Sequence, residues 1–263
     1  LGAELFKKAE YTCLILTQSD PDNSNYWKTY KQITVYNKNY HNTLLAISEI
    51  ERLEGSSLKL ILEKSAIKQE QNNNDEAIKY LYEAYELDST NVEVIKRLVS
   101  IYLENENFID AEISNNTLLR DFPDDPSGFI NASIISLNNS KPQKAINYLK
   151  PNIEKFENNY SAHYILGTSY YQINDLDNSE VHLLKALSIF PGSRSSKHTL
   201  AMIYDQNGLW IKSDSLYLEL ITTDSTDAQA YNNFAYSLVE RNDNLELALE
   251  MSIIANRIQP KSA

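Results

Sequence analysis

Residues 160–193 read YSAHYILGTSYYQINDLDNSEVHLLKALSIFPGS, and the order of apolar and polar residues in this segment decides the fold. Leu166, Gly167 and Tyr170 lie at positions i, i+1 and i+4, a spacing that places them on one face of a helix. A polar pair follows at residues 174–175, and apolar residues with helical spacing resume after it. The segment therefore predicts two helices that are joined by a tight turn.

The same pattern recurs along the chain with a period of 34 residues, except for one step of 35 in the last unit. One row in this phase contains only small residues: Ala9, Thr43, Ala77, Ala111, Ala145, Ser179, Ser213 and Ala248. A second row marks the breaks between units: Pro21, Gly55, Ser89, Pro123, Glu157, Pro191, Ser225 and Pro260. A repeat of this length is typical of stacked helix pairs, because one pair cannot bury its apolar face alone.

These residues resemble the tetratricopeptide repeat, a 34-residue motif with Leu, Gly or Ala and Tyr in its first helix, small residues in its second helix and a closing Pro. The unit 160–193 carries the motif residues Leu166, Gly167, Tyr170, Ala186 and Pro191. The unit that begins at Ala228 carries Tyr231, Phe234, Ala235, Ala248, Ala255 and Pro260. The resemblance implies an all-α fold, a right-handed α-α superhelical solenoid of stacked helix-turn-helix repeats.

The period predicts a single tetratricopeptide-repeat array over residues 1–263. Residues 1–23 are expected to form the second helix of a partial repeat, and the full repeats are 24–57, 58–91, 92–125, 126–159, 160–193, 194–227 and 228–263. Terminal repeats of a solenoid need a polar outer face. We therefore expect exposed apolar surface at both ends of this segment, and further repeats or another domain in the native gene.

The charge of the chain limits the class of partner. The chain has 24 basic and 36 acidic side chains, which gives a formal net charge of −12. Nucleic acid recruits Lys and Arg to its phosphates, so the excess of acid disfavours DNA and RNA and favours neutral, apolar or basic partners. No apolar stretch approaches the roughly 18 to 20 residues of a membrane span, so we expect no membrane insertion within this chain. Bacterial cytoplasm and cell envelope (periplasm) both remain compatible with the sequence, and the oligomeric state is left open.

Residue patterns that carry catalysis or metal binding are weak. Cys13 is the only cysteine, which excludes an internal disulfide and a thiolate zinc site. The histidines lie in three repeats without a carboxylate or thiolate at metal-ligand spacing, although His163 and His198 could meet on neighbouring first helices. We therefore predict no catalytic residues, no metal and no cofactor. The alternative is that this chain is the repeat region of a larger enzyme or assembly factor whose catalytic domain lies outside it.

The resemblance also implies where a partner binds, because the first helices of this family line a concave groove that takes an extended peptide or a partner helix. The inward positions are mixed in the N-terminal half, where they include Lys28, Gln32 and Ala66. In the C-terminal half they are apolar or aromatic, and the candidate site residues are Ile130, Ile134, Tyr164, Thr168, Tyr171, His198, Met202, Asn232 and Tyr236. Tyr and Met form adaptable contact surfaces, so we expect a protein or peptide partner with apolar side chains. The other interpretation is that several of these residues only pack between adjacent first helices.

Two specialised functions of similar repeats are disfavoured by single features. The carboxylate-binding clamp of the family has an Asn where this chain has Glu63, whose negative charge would repel a carboxylate. A helical-repeat RNA binder needs a basic groove, whereas this chain has an excess of acid. The sequence therefore predicts a non-enzymatic scaffold for protein–protein interaction.

Overall fold

A computed structural model describes residues 2–260, and every regular element in this range is helical. Helix α1 (Gly2–Ser19) precedes seven helix pairs. Their first helices are α2 (Ser24–Tyr36), α4 (Leu58–Glu70), α6 (Val92–Glu104), α8 (Pro126–Asn138), α10 (Tyr160–Gln172), α12 (Arg194–Gln206) and α14 (Ala228–Glu240). Their second helices are α3 (Tyr40–Glu54), α5 (Asn74–Leu87), α7 (Phe108–Asp121), α9 (Pro142–Leu149), α11 (Leu176–Ile189), α13 (Trp210–Thr223) and α15 (Leu245–Ile258). The prediction of an all-α fold with helix-turn-helix repeats of 34 residues is confirmed.

The turn inside each pair repeats one backbone conformation. A single residue has a φ between 53° and 68° in every turn: Lys38, Asn72, Glu106, Ser140, Asn174, Gly208 and Asn242. The amide after it donates to the carbonyl five residues earlier, as from Asn73 to Lys68 at 2.8 Å and from Asp175 to Tyr170 at 2.9 Å. This bond satisfies a carbonyl at the end of the first helix. The left-handed position explains why Asn is frequent in these turns, because Asn adopts that conformation at a lower cost than most residues.

Every first helix begins after a capping side chain at one fixed position of the repeat. The caps are Asn23, Ser57, Asn91, Asp125, Asn159, Ser193 and Asp227. Each side-chain oxygen accepts a hydrogen bond from a backbone amide of the first turn, which the helix itself leaves unpaired. In the last repeat the second helix begins at Leu245, three residues after the left-handed Asn242 rather than two, so the extra residue lies in this turn.

The helices of a pair approach closely at the small residues. A Cβ atom on Gly167 of α10 would lie 2.6 Å from Cγ of Leu183 and 3.2 Å from the backbone nitrogen of Leu183 on α11. Ser179 Oγ donates to the carbonyl of Gly167 at 2.7 Å, and Ser65 Oγ donates to the carbonyl of Ala77 at 3.0 Å. A larger side chain at these positions would push the helices apart, which explains the row of Ala, Ser and Thr.

The second helix of the fourth pair is shorter than the others. Helix α9 ends at Leu149, and a 3-10 turn (Lys150–Asn152) follows it. Pro151 ends the helix because its nitrogen has no hydrogen to donate and its ring clashes with the carbonyl one turn earlier. The chain then turns inward, and the buried ring of Phe156 packs 5.7 Å from the ring of Phe129.

The chain divides into two units, Leu1–Phe122 and Pro123–Ala263, called the N-terminal unit and the C-terminal unit below. In the C-terminal unit, α10 contacts both α8 and α12, and α12 contacts α14, so the first helices lie side by side. Helices α9, α11 and α13 each contact the first helix of the following pair and form a second layer. We call the surface of α8, α10, α12 and α14 the first-helix face. The single array over residues 1–263 stays a prediction.

Candidate functional site

Four of the nine candidate residues are half-buried and pack against apolar clusters of the C-terminal unit: Ile130, Ile134, Tyr164 and Tyr171. Ile130 and Ile134 on α8 are half-buried and lie against the apolar cluster that contains Leu149 and Phe156. Tyr171 on α10 is half-buried, and its hydroxyl accepts a hydrogen bond from Gln206 Nε2 at 3.0 Å. Burial raises the pKa of Tyr171. These side chains contribute mainly to the packing of neighbouring helices.

Two other candidates make only local contacts or are exposed. Thr168 on α10 donates its hydroxyl hydrogen to the carbonyl of Tyr164 in the same helix at 3.0 Å. Asn232 on α14 is exposed. Neither residue lines a cavity of the first-helix face.

A first cavity of about 420 Å³, called the polar cavity, lies near the start of α12. It is lined by Tyr164, Arg194, Ser195, His198, Thr199, Met202 and Gln229. The ring of Tyr164 is stacked on that of Tyr160, with a centroid distance of 5.8 Å. Three candidate residues, Tyr164, His198 and Met202, are thereby brought together from α10 and α12. The cavity offers both an aromatic wall and hydrogen-bonding groups.

A charged cluster holds His198 at the edge of the polar cavity. The imidazole is buried, and its Nε2 lies 2.9 Å from Oδ2 of Asp227, the residue that caps α14. Arg194 Nη2 lies 2.8 Å from the same carboxylate and Arg194 Nη1 lies 2.7 Å from Asp224. Burial opposes ionisation of Asp227, but the amide of Ala230, Arg194 and His198 together hold its pKa below the usual value. The cluster therefore neutralises the charge of Arg194 within the chain.

A second cavity of about 320 Å³, called the acidic cavity, lies near the ends of α12 and α14. It is lined by Met202, Asp205, Gln206, Trp210, Tyr217, Asn233, Tyr236, Ser237 and Glu240. Met202 lines both cavities, so they adjoin along α12. Tyr236 is 65% exposed and Trp210 is 38% exposed, so aromatic surface is open to a partner.

Hydrogen bonds fix the carboxylate of Asp205 in the acidic cavity. Tyr217 Oη donates to Asp205 Oδ2 at 2.8 Å, and Ser237 Oγ donates to Asp205 Oδ1 at 2.7 Å. Burial, together with the neighbouring Asp205 charge, raises the pKa of Tyr217. At the rim, the hydroxyl of Tyr236 bonds to Glu240, which raises the pKa of Tyr236. Two carboxylates thus lie beside open aromatic rings.

Next to the acidic cavity, an arginine of the chain itself lies on an aromatic ring. The guanidinium of Arg241 is 5.6 Å from the ring centre of Trp210. Its two terminal nitrogens donate to the carboxylate of Asp214 at 2.9 and 2.8 Å. The side chain of Arg241 is only 8% exposed, so its charge is matched inside the protein.

The remaining histidines of the C-terminal unit form a separate pair. His163 Nδ1 lies 3.1 Å from His182 Nδ1, so His163 meets a residue of its own helix pair, whereas His198 pairs with Asp227. Burial lowers the pKa of His163, and burial together with the charge of His163 lowers the pKa of His182 to about 4. Within residues 2–260, no three His, Cys, Asp or Glu side chains are grouped to hold a metal ion.

The N-terminal unit has a larger cavity of different chemistry. Its volume is about 600 Å³, and it is lined by Lys31, Gln32, Val35, Lys38, Tyr40, Thr43, Lys59, Glu63, Ala66, Ile67 and Glu70. Lys31 Nζ lies 2.5 Å from Glu63 Oε2, so an internal ion pair crosses from α2 to α4.

None of the helices within residues 2–260 has the length and apolar character that a membrane span requires.

The sequence prediction missed Asp227, Arg194, Trp210 and Glu240 as neighbours of the candidate residues. Asp227 belongs to the row of helix caps, so its spacing explains it without any functional role. The contact between Asp227 and His198 joins residues that are 29 positions apart in the sequence. It depends on the packing of α14 against α12, which the spacing of the caps does not give. The aromatic Trp210 beside a helix turn was the one signal that could have drawn attention to the acidic cavity.

Comparisons with known proteins identify the repeat. Sequence models of the tetratricopeptide repeat match residues 69–128 and residues 160–193. No curated protein matches the sequence of this chain.

Solved structures share the fold at low sequence identity. A chain of the APC/C heterotetramer Cut9-Hcn1 matches with a TM-score of 0.70 and 13% identity over 98% of this chain and 51% of that one, so this chain spans about half of its length. A tetratricopeptide repeat protein from Parabacteroides merdae matches with a TM-score of 0.69 and 15% identity over 91% and 94%. YrrB, a repeat protein described as having an unusual peptide-binding site, matches with a TM-score of 0.56 and 16% identity over 69% and 93%. The overall similarity to these structures is one of fold.

Proposed function

Because the chain belongs to the tetratricopeptide repeat family and is a protein-interaction scaffold, we propose that it binds a peptide segment or partner helix on the first-helix face of the C-terminal unit. The observation that carries this proposal is the pair of adjoining cavities, which share Met202 and together include Tyr164, His198 and Tyr236. Proteins of this fold are generally non-catalytic scaffolds, so the proposed role is binding and not catalysis.

The dimensions of the two cavities suit a short segment of a partner. They extend from Arg194 at the start of α12 to Gln206 at its end. At 1.5 Å per residue this is a length of about 18 Å, which accommodates roughly five residues of extended peptide. Apolar side chains of such a segment would contact Met202 and the rings of Tyr164 and Tyr236. YrrB, which shares this fold, is described as having a peptide-binding site, and this supports a peptide as the type of partner.

The proposal is tested with peptides selected from a phage-displayed library of random dodecapeptides on the wild-type chain. The affinity of the best peptide is then measured for the double variant Met202→Ala, Tyr236→Ala by fluorescence anisotropy. We expect its dissociation constant to rise about tenfold or more, since truncation of central contact residues costs roughly 2 kcal/mol. Thermal melts establish that the variant is folded.

The matched control is the double variant Gln32→Ala, Val35→Ala in the cavity of the N-terminal unit. Gln32 occupies the same repeat position as Met202, five repeats earlier. Peptide affinity should be unchanged in this control. Selection of no peptide, or equal loss of affinity in both double variants, would contradict binding on the first-helix face of the C-terminal unit.

A further inference from the structure

We infer that the partner segment carries a Lys or Arg side chain, which enters the acidic cavity between α12 and α14. This inference rests on the proposed function and adds the chemistry of the partner. The inference assigns a basic side chain to one cavity of the first-helix face, and does not rest on the net negative charge of the chain.

The charges that face the acidic cavity leave it negative. Its lining contains the carboxylates of Asp205 and Glu240 and no Lys or Arg. The nearest arginine, Arg241, is already bound by both oxygens of Asp214. Each oxygen of Asp205 accepts one hydrogen bond from the chain, and a carboxylate oxygen can accept a second one. A cation that enters therefore meets two carboxylates, one of which, Asp205, already lies in the field of the Arg241 guanidinium.

The aromatic walls of the acidic cavity add a second attraction for a cation. The face of an aromatic ring is electron-rich, so an ammonium or guanidinium group is stabilised when it lies over Tyr or Trp. Tyr236 contributes an open ring to the lining, with 65% of the residue exposed, whereas the ring of Trp210 already has the Arg241 guanidinium over one face. The chain already uses this contact beside the cavity, where Arg241 lies over Trp210. The aliphatic stem of a Lys or Arg would contact Met202, which separates the two cavities.

The charged groups around the polar cavity are paired with one another. Its arginine, Arg194, is paired with Asp224 and Asp227, and the second of these also bonds to His198. The lining of the acidic cavity therefore contains two carboxylates, whereas that of the polar cavity contains none. A partner segment that lies along α12 is expected to place its basic residue at the end of the helix near Asp205.

The test is a double-mutant cycle between the peptide and the protein. Two peptides are used as probes. The first is the best dodecapeptide selected on the wild-type chain. In the second, the basic residue is replaced by norleucine, which keeps an aliphatic chain and removes the charge. Both peptides are titrated into wild type, Glu240→Gln and the control Glu250→Gln, whose exposed side chain on α15 lies outside the cavity. We expect the selected peptides to share a Lys or Arg at one position.

For wild type and Glu250→Gln, loss of the positive charge should weaken binding by about 5- to 30-fold, the range of a partly desolvated cation on aromatic rings. For Glu240→Gln the same change should weaken binding clearly less. The inference is overturned if selected peptides lack a basic residue, or if the norleucine peptide loses the same affinity in wild type and Glu240→Gln. If no peptide is selected, or if Met202→Ala, Tyr236→Ala leaves affinity unchanged, the proposed function fails as well.

Discussion

The two units place different chemistry at the same position of the repeat. Gln32 and Ala66 in the N-terminal unit correspond to Met202 and Tyr236 in the C-terminal unit, at multiples of 34 residues. All four residues line cavities. In the N-terminal unit the lining is rich in Lys and Glu, and in the C-terminal unit it is aromatic, with acid at one end.

The cavities of the two units therefore differ in chemistry as well as in size. The N-terminal cavity is the larger of the two, but Lys31 and Glu63 satisfy each other across it. In the acidic cavity, Tyr236 and Trp210 expose aromatic surface. Aromatic residues that are open to solvent are typical of surfaces that bind partners. The packing of the two units can be compared by measuring the free energy of unfolding of each unit separately.

The largest expected effect is on the packing of the C-terminal unit. Leu183 on α11 is fully buried against α10, so Leu183→Ala should lower the free energy of unfolding by about 2 to 5 kcal/mol through lost contacts and a cavity. Urea unfolding is followed by Trp210 fluorescence in a Trp27→Phe background, which reports on the C-terminal unit. The neighbouring Leu184→Ala, at a side chain that is 47% exposed, is the control and should change little.

The same variant sharpens the comparison of the units when Trp27 is the reporter. Trp27 is buried in the core of the N-terminal unit, and Trp210→Phe leaves it as the only tryptophan. Stability in repeat arrays is a sum of contacts between neighbours, so Leu183→Ala should shift the Trp27 transition less than the Trp210 transition. Equal shifts would mean that the two units unfold as one.

The next largest effect concerns the close approach at Gly167. Gly167→Ala places a Cβ atom 2.6 Å from Cγ of Leu183, so we expect a loss of about 1 to 3 kcal/mol from overpacking, measured by urea unfolding. Leu183→Ala removes the nearest atoms. The double variant should therefore be more stable than the sum of the two single effects predicts. Simple additivity would show that these two residues do not set the distance between α10 and α11.

Much of the fold could be predicted because its determinants are local and repeat in phase. The left-handed turn residues such as Asn72 and Asn174, and the caps such as Asn91 and Asp227, act within a few residues of their own position. The row of small residues is restricted by the contact between the two helices of one pair. Each of these features leaves a mark at a 34-residue spacing, so the helix pairs follow from the sequence.

The site could be predicted only in part, because equivalent positions meet different surroundings. Ile134 and Met202 occupy the same repeat position, two repeats apart. Ile134 packs against an apolar cluster to which Ile153 and Phe156 contribute after Pro151 ends α9, whereas Met202 lines both cavities. Periodicity places both side chains on the first-helix face, but it does not show which of them a neighbouring segment covers.

A smaller effect is expected from the histidine pair of the C-terminal unit. Burial holds the pKa of His163 below its usual value and that of His182 at about 4, while an unfolded histidine titrates near 6.5. The unfolded chain therefore binds more protons between about pH 4 and 6.5, and the free energy of unfolding rises with pH in this window. We expect a gain of about 1 to 2 kcal/mol from pH 4.5 to 7, reduced by the partial exposure of His182.

Acidic residues also titrate in this range, so the measurement compares variants. His182→Phe keeps an aromatic ring against Tyr170, whose ring stacks on that of His182 at 5.6 Å, and removes the titrating group. Its stability should depend less on pH between 4.5 and 7 than that of wild type. The same replacement at exposed His41 in the N-terminal unit is the control. An equal change in slope for both variants would contradict a specific role of the buried pair.

The smallest effect is expected at Lys31, which stands at the repeat position of Gly167 in the other unit. Its side chain is 14% exposed and that of its partner Glu63 is 31% exposed, so solvent still screens the ion pair. Lys31→Met keeps the aliphatic stem and removes the charge, and it should change the free energy of unfolding by less than about 1 kcal/mol, measured with Trp27 as reporter. Peptide affinity should not change, because the N-terminal cavity is not the proposed binding surface. A marked gain in peptide binding would instead show that the Lys31–Glu63 pair closes a second binding surface in the N-terminal unit.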